Sequence, residues 1–184
     1  MATAPDRPLR ADAARNREKL LGAAVSVFSE CGVDASLEAV AKRAGVGIGT
    51  LYRHFPTRDA LIEAAYRAEV ASLAEAAGAL LEEHAPDQAL ALWLDRFVEY
   101  AAAKRGMLVA LRAMSERRDD FFAPTRVAID GALARLLRRD VEPADVLRAT
   151  GAIWGMADDE DWQRNARKLL ALLMDGLRAG ADRA

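Results

Sequence analysis

Apolar residues recur along this chain at three- and four-residue intervals, and that spacing predicts helix nearly end to end. A first helix is expected from Asp12 to Cys31, with Leu20, Leu21, Ala24, Val27, Phe28 and Cys31 on its inward stripe and Gly32 as its stop. Ser36 then reads as an N-cap, with Leu37, Val40 and Ala41 following at helical spacing until Gly45. After a Gly45-Val46-Gly47 turn, a short helix opens near Ile48. It places Leu51 and Phe55 inward and closes at Pro56, which cannot occupy a helix interior. Thr57 caps a long helix over 58–83 that carries Leu61, Ile62, Ala65, Tyr66, Val70, Leu73 and Leu80.

Beyond Ala85-Pro86-Asp87, Asp87 is expected to cap a helix running to Ala103, and Lys104-Arg105-Gly106 to form a turn before a short helix from Met107 to Met114. SERRDD (115–120) reads as a loop, and 121–139 as another helix. Pro143 suits the first turn of a helix reaching Ala157. A final helix opens on Asp158, Asp159, Glu160 and Asp161, where carboxylates favour the helix dipole, and ends at Gly180. The fold class is all-α, with about nine helices.

The stretch 35–60 carries the clearest chemistry. Two short helices joined by a glycine turn make a helix-turn-helix, whose second helix can enter a DNA major groove. With Leu51 and Phe55 inward, Thr50, Arg53 and His54 are left outside with Tyr52 at the edge, a set suited to phosphate and base-edge contacts. Ile48 and Gly49 open the helix near the bases, where apolar contact with a thymine methyl is available. Arg53 can satisfy two guanine acceptors at once, and Lys42 and Arg43 end the preceding helix. For each basic residue, a solvated surface charge is the competing reading.

Leu37, Val40, Ala41, Ala44 to Val46, Gly49 to Tyr52, His54 to Pro56, Arg58 and Leu61 together form a dense pattern that resembles the N-terminal domain of the TetR family of bacterial transcriptional regulators. The resemblance covers roughly residues 13 to 62. It implies that Thr50 and His54 anchor phosphates, that Tyr52 meets backbone or a base edge, and that Arg58 and Ser36 also belong to the DNA-contacting set. Gly47 departs from the family's commoner Ser, and Glu38 is acidic at a position often used for base contacts. More loosely, LWLDRFVEYAAAKRGM and LLMDGLRAG are similar to the SbtR-type subgroup. The implied domains are an N-terminal arm (1–11), expected to be disordered, a DNA-binding head (12–57) and a helical effector-binding and dimerisation body (58–184). Arg7 and Arg10 in the arm can reach a minor groove or simply lie in a solvated tail.

Composition changes the picture in a few places. The net charge of −2 disfavours a nucleic-acid binder on its face, but the charge is unevenly placed. Residues 1–58 hold nine Lys/Arg against six Asp/Glu, a balance of +3, which leaves −5 for the rest. No stretch of about 18 uncharged apolar residues offers a membrane span, and the polar N-terminus is not a secretory signal. The lone Cys31 fits a reducing compartment and a small core residue, so a cytoplasmic location is expected. Two histidines and one cysteine make no standard zinc site, and Gly45-Val46-Gly47-Ile48-Gly49 lacks the preceding strand and lysine of a phosphate loop. Neither metal, cofactor nor enzyme activity is expected.

Aromatic and methionine side chains concentrate at Trp93, Phe97, Tyr100, Met107, Met114, Phe121 and Phe122. They read either as ordinary core or as the lining of an apolar cavity, and the resemblance implies an effector pocket in this region. His84, Tyr100 and Arg112 are available as polar contacts. In the last two helices, Ile153, Trp154, Trp162, Ala166, Leu169, Leu170, Leu173 and Leu177 supply more apolar surface than one inward face requires. The resemblance implies a four-helix interface between two copies. The expected function is that of a ligand-responsive repressor bound as a homodimer to a palindromic double-stranded operator. Its rivals are an effector-independent DNA binder or activator, and a helical small-molecule-binding protein without operator specificity.

Overall fold

A computed structural model describes residues 7–118, 120–151, 153 and 161–181. Among them, eight helices and no strands occur: α1 (Arg7–Cys31), α2 (Leu37–Ala44), α3 (Ile48–His54), α4 (Arg58–Glu83), α5 (Pro86–Arg117), α6 (Ala123–Leu136), α7 (Pro143–Ala149) and α8 (Trp162–Ala181). The all-α expectation holds. The chain divides into two compact units, the first formed by 1–68 with 103–119 and the second by 69–102 with 120–184, so α4 and α5 contribute to both.

In the first unit the local signals act as read. The Ser36 Oγ accepts the Ala39 N–H at 3.1 Å, opening α2. Gly45 closes α2 in the left-handed region (φ 68°), where a side chain would be strained, and the Val46 N–H returns to the Ala41 carbonyl at 3.0 Å. Gly47 opens α3 without a side-chain cap. The Phe55 N–H donates to the Leu51 carbonyl at 2.8 Å, and Thr57 Oγ1 accepts from the Ala60 N–H to start α4. Leu20, Ala24 and Phe28 of α1, Val40 of α2, Leu51 of α3, Leu61, Ile62 and Tyr66 of α4, and Met107 and Leu111 of α5 are fully buried in this unit.

Several boundaries differ from the sequence expectation. Helix α1 opens at Arg7 rather than Asp12, so Arg7 and Arg10 lie in its first turns, and residues 1–6 are outside the described set. Cys31 is exposed at the end of α1, because the helix closes at Gly32 (φ 76°) before that turn gains cover. The expected turn at 104–106 does not form: α5 runs unbroken for 32 residues. Gly106 instead provides a close crossing, since a Cβ there would stand 2.3 Å from the Phe28 carbonyl oxygen of α1. Lys104, two residues earlier, lies over the Tyr66 ring at 5.9 Å, and burial pushes its ammonium pKa down. Pro86, not Asp87, begins α5, and α6 stops at Leu136, short of the expected Arg139. The expected boundary at Ala157, together with Trp154 and 158–160, lies outside the described residues.

The second unit is organised on the Trp93 ring. Its Nε1–H donates to the Leu73 carbonyl at 2.8 Å, tying α5 to α4, and the ring stacks on Phe97 with centroids 5.9 Å apart. Leu133 and Leu136 of α6, Val146 of α7, Ile153, and Ala166, Leu170 and Met174 of α8 are buried in the same unit.

A candidate DNA-reading surface

The helix α3 reaches only from Ile48 to His54, and its apolar anchors face one way. Leu51 and Phe55 are buried, while Tyr52 is 47% and Ile48 36% exposed. Gly49 and Arg53 are also exposed, and Thr50 and His54 are half-buried. The His54 ring leans on Phe55 with centroids 6.2 Å apart, which limits its orientations. Lys42, on the last turn of α2, is exposed as well. The structure therefore presents a phenol, a guanidinium, an imidazole, an ammonium and an apolar Ile side chain around one short helix. Hydrogen-bond donors dominate this set, as phosphates and the acceptor-rich edge of guanine require.

Three residues of the expected set also serve the scaffold. Arg43 donates to both carboxylate oxygens of Glu30 (2.5 and 2.8 Å) and to Ser26 Oγ at 2.7 Å, fastening α2 to α1. The Arg43 guanidinium holds the Glu30 carboxyl below its usual range. Arg58 donates to the Val33 and Ala35 carbonyls at 2.5 and 2.6 Å and so stitches the α1–α2 loop to the start of α4. Ser36 accepts from Ala39 as the cap, which leaves its own O–H free to donate. A cation that the helical pattern did not single out lies close by: the Arg17 guanidinium of α1 stands 5.5 Å from the Phe55 ring centre, at the end of α3. No local pattern marks Arg17, because the contact joins residues far apart in sequence.

The expected ligand residues divide between the units. Met107 and Met114 are buried with the reader helices, whereas Trp93, Phe97, Tyr100, Phe121 and Phe122 belong to the second unit. Phe97 and Tyr100 pack at 5.7 Å, and Phe121 meets Phe122 edge to face at 4.9 Å. These contacts are those of a packed aromatic core. Tyr100 also lines a cleft of about 220 Å³ with Glu69, Ser72, Arg96 and Glu99. Burial, and then the neighbouring Glu99, push the Glu69 pKa up. His84 is half-buried and Arg112 exposed.

On α8, Ala166 and Leu170 are buried within their own unit, as is Ile153. Trp162, Leu169, Leu173 and Leu177 are half-buried, and Leu172, which the inward stripe omits, is 67% exposed. Among the described residues, no group of three or more His, Cys, Asp or Glu side chains is placed to hold a metal. No helix among them is long and apolar enough to cross a membrane.

Comparison with known proteins decides the family. Residues 20–65 match the model of the bacterial regulatory proteins of the tetR family, and 85–179 match that of the SbtR-like transcriptional regulator C-terminal domain. The TetR transcriptional regulator SCO0520 from Streptomyces coelicolor is 46% identical, with a TM-score of 0.79 over 88% of this chain and 97% of that one. This chain belongs to the TetR family. A TetR regulatory protein from Mycobacterium vanbaalenii is 32% identical, with a TM-score of 0.67 over 92% of this chain and 99% of its own. An HTH-type transcriptional regulator of Staphylococcus aureus (strain USA300) is 43% identical over 54 residues. That match spans 29% of either chain, so it speaks for under a third of this TetR-family regulator.

Proposed function

We propose that this TetR-family regulator is a ligand-responsive repressor that binds a palindromic operator as a homodimer. The exposed outer face of α3, with Tyr52 and Arg53 at its centre, carries the reading: a phenol and a guanidinium stand side by side on a short helix that follows a glycine turn, as a major-groove reader requires. Tyr52, Arg53, His54, Thr50 and Lys42 meet the major groove and its phosphates, with Ile48 and Gly49 against the bases. Arg17 adds a cation at the rim. Arg43 and Arg58 position the reader first, and Ser36 donates its hydroxyl hydrogen to a phosphate.

Dimerisation runs through α8. Its outer side carries Trp162, Leu169, Leu172 and Leu173. Exposed leucine beside half-buried apolar neighbours suits an isologous helix pair between two copies. Two reader helices then address half-sites about 34–36 Å apart, or a multiple of that. Acting on the cell's DNA places the protein in the cytoplasm. Effector response requires a molecule that binds the DNA-competent and DNA-incompetent conformations with different affinity. LfrR from Mycobacterium smegmatis, alike in fold at 21% identity, was solved in complex with proflavine.

Nuclease footprinting upstream of the protein's own gene and its neighbours, at near-physiological salt, tests the proposal. A protected palindrome released by a small molecule supports all of it. Protection that no ligand changes would leave an effector-independent binder or activator, and saturable ligand binding without sequence-dependent protection would leave a small-molecule-binding protein.

A further inference from the structure

Helix ends rarely seal against one another, and in the second unit three of them leave a space of about 450 Å³. The start of α5, the end of α6 with its following loop, and the end of α8 form its walls. Leu90, Leu136, Leu137, Val141 and Leu177 supply apolar surface, and Pro86 fixes one edge. The space is open to solvent on one side, and its volume falls within the roughly 300–1,000 Å³ of small-molecule pockets. The space is separate from the Trp93–Phe97–Tyr100 stack, whose rings are packed against one another.

The charged groups at the rim indicate what can enter. Arg178 grips Asp87 through Nε and Nη2, at 3.0 and 2.8 Å to the same carboxylate oxygen, clamping α8 to α5. Arg138 grips Asp140 through Nε at 3.1 Å and Nη2 at 2.9 Å, and its Nη1 donates to the Leu177 carbonyl at 3.1 Å. Each guanidinium fork already faces a carboxylate. An anionic ligand would have to displace one of these carboxylates, and a cationic ligand would have to displace an arginine. Apolar surface flanked by two charge pairs, Arg178–Asp87 and Arg138–Asp140, therefore favours a molecule that carries no charge of its own.

We propose that this cavity is a binding site for an uncharged, largely apolar small molecule of about two to three fused or linked rings. The site goes beyond the repressor reading and does not need it, because occupancy is measured without DNA. Val141 and Leu137, both half-buried wall residues, are the natural positions to fill.

The test uses the full chain and the uncharged dye N-phenyl-1-naphthylamine, which fluoresces in apolar surroundings. The wild type is expected to bind it saturably at one molecule per chain. Val141→Trp and Leu137→Trp are each expected to weaken binding at least tenfold. Ser72→Trp, which fills the polar cleft beside Tyr100, is expected to leave the dissociation constant within twofold. Circular-dichroism melting shows which variants are folded, and Leu177→Phe replaces either tryptophan variant that is not. Absence of saturable binding by the wild type overturns the proposal, as does unchanged affinity in the folded filled variants. Footprinting with and without the dye is a separate readout. Dye binding that leaves the footprint unchanged counts against effector control through this cavity and leaves the site standing.

Discussion

Replacing Gly106 by Ala sets two known effects against each other at one position. Alanine in a helix interior is favoured over glycine by about 0.5–1 kcal/mol, because glycine loses more freedom on folding. At Gly106, however, the added methyl would lie 2.3 Å from the Phe28 carbonyl oxygen and 2.7 Å from the Ser29 Cα. Both are backbone atoms of α1, so neither can turn aside as a side-chain tip could. Real Cβ atoms come no closer than 3.0 Å, so α1 and α5 must part by several tenths of an ångström. That separation loosens the contacts of Phe28 and its buried neighbours, and overpacking of this kind costs about 1–3 kcal/mol. The net expectation is a destabilisation of about 1–2 kcal/mol, or a melting temperature lower by roughly 2–8 °C for a chain of this length. Gly22→Ala and Gly131→Ala are the controls, since a Cβ at either helical position meets nothing within 4 Å. Each should raise stability by up to about 1 kcal/mol. Thermal and urea unfolding followed by circular dichroism make the comparison. A Gly106→Ala variant that melts at or above the wild type would refute the crossing argument.

Arg58→Met removes two charge-assisted hydrogen bonds to the α1–α2 loop and should destabilise the protein by about 1–3 kcal/mol in urea unfolding. If Arg58 were only a phosphate contact, stability would not move. Leu172→Glu places a charge on the outer side of α8 and should convert a dimer to monomer in sedimentation without lowering the secondary-structure signal. A dimer that survives the change would place the interface elsewhere. Glu69→Gln should raise the melting temperature at pH 7, because burial and Glu99 disfavour the ionised form. The folded-state pKa is raised, so the protonated carboxyl is the one the fold prefers, and the wild type loses stability as pH rises through that pKa. The advantage of Gln should therefore shrink as pH falls below the ordinary carboxyl value of 4.5, and an advantage constant with pH would contradict this cause.

What could be read from the sequence was local. Ser36, Gly45, Pro56 and Thr57 each satisfy or block a backbone group within four residues, so α2, α3 and the start of α4 follow from the residues alone. Gly106 carries the same local signal as a helix stop, but its role depends on Phe28, far off in the chain, and α5 runs through it. Arg43 and Arg58 show the same limit at the reading surface. Each is basic and near the reader helix, yet its partners, Glu30 and the Val33 and Ala35 carbonyls, are fixed only when α1 packs on α2. Helical period, with Leu51 and Phe55 on the buried side, puts Tyr52 only at the edge of the outer one, and the structure leaves it 47% exposed. Leu172 is exposed and lies off the stripe that packs α8 inward, so that stripe does not mark it. The cavity at the ends of α5, α6 and α8 has no sequence signature, because it forms where helices end.

The central claim is that the outer face of α3 reads specific duplex sequence. Selection from random double-stranded DNA at near-physiological salt, with the wild type and Tyr52→Ala in parallel, addresses it most directly. The account predicts enrichment of a palindrome by the wild type, with half-site centres about 34–36 Å apart or a multiple of that, and its loss in the variant. Retention by salt-sensitive affinity alone, with no enriched sequence, would contradict it.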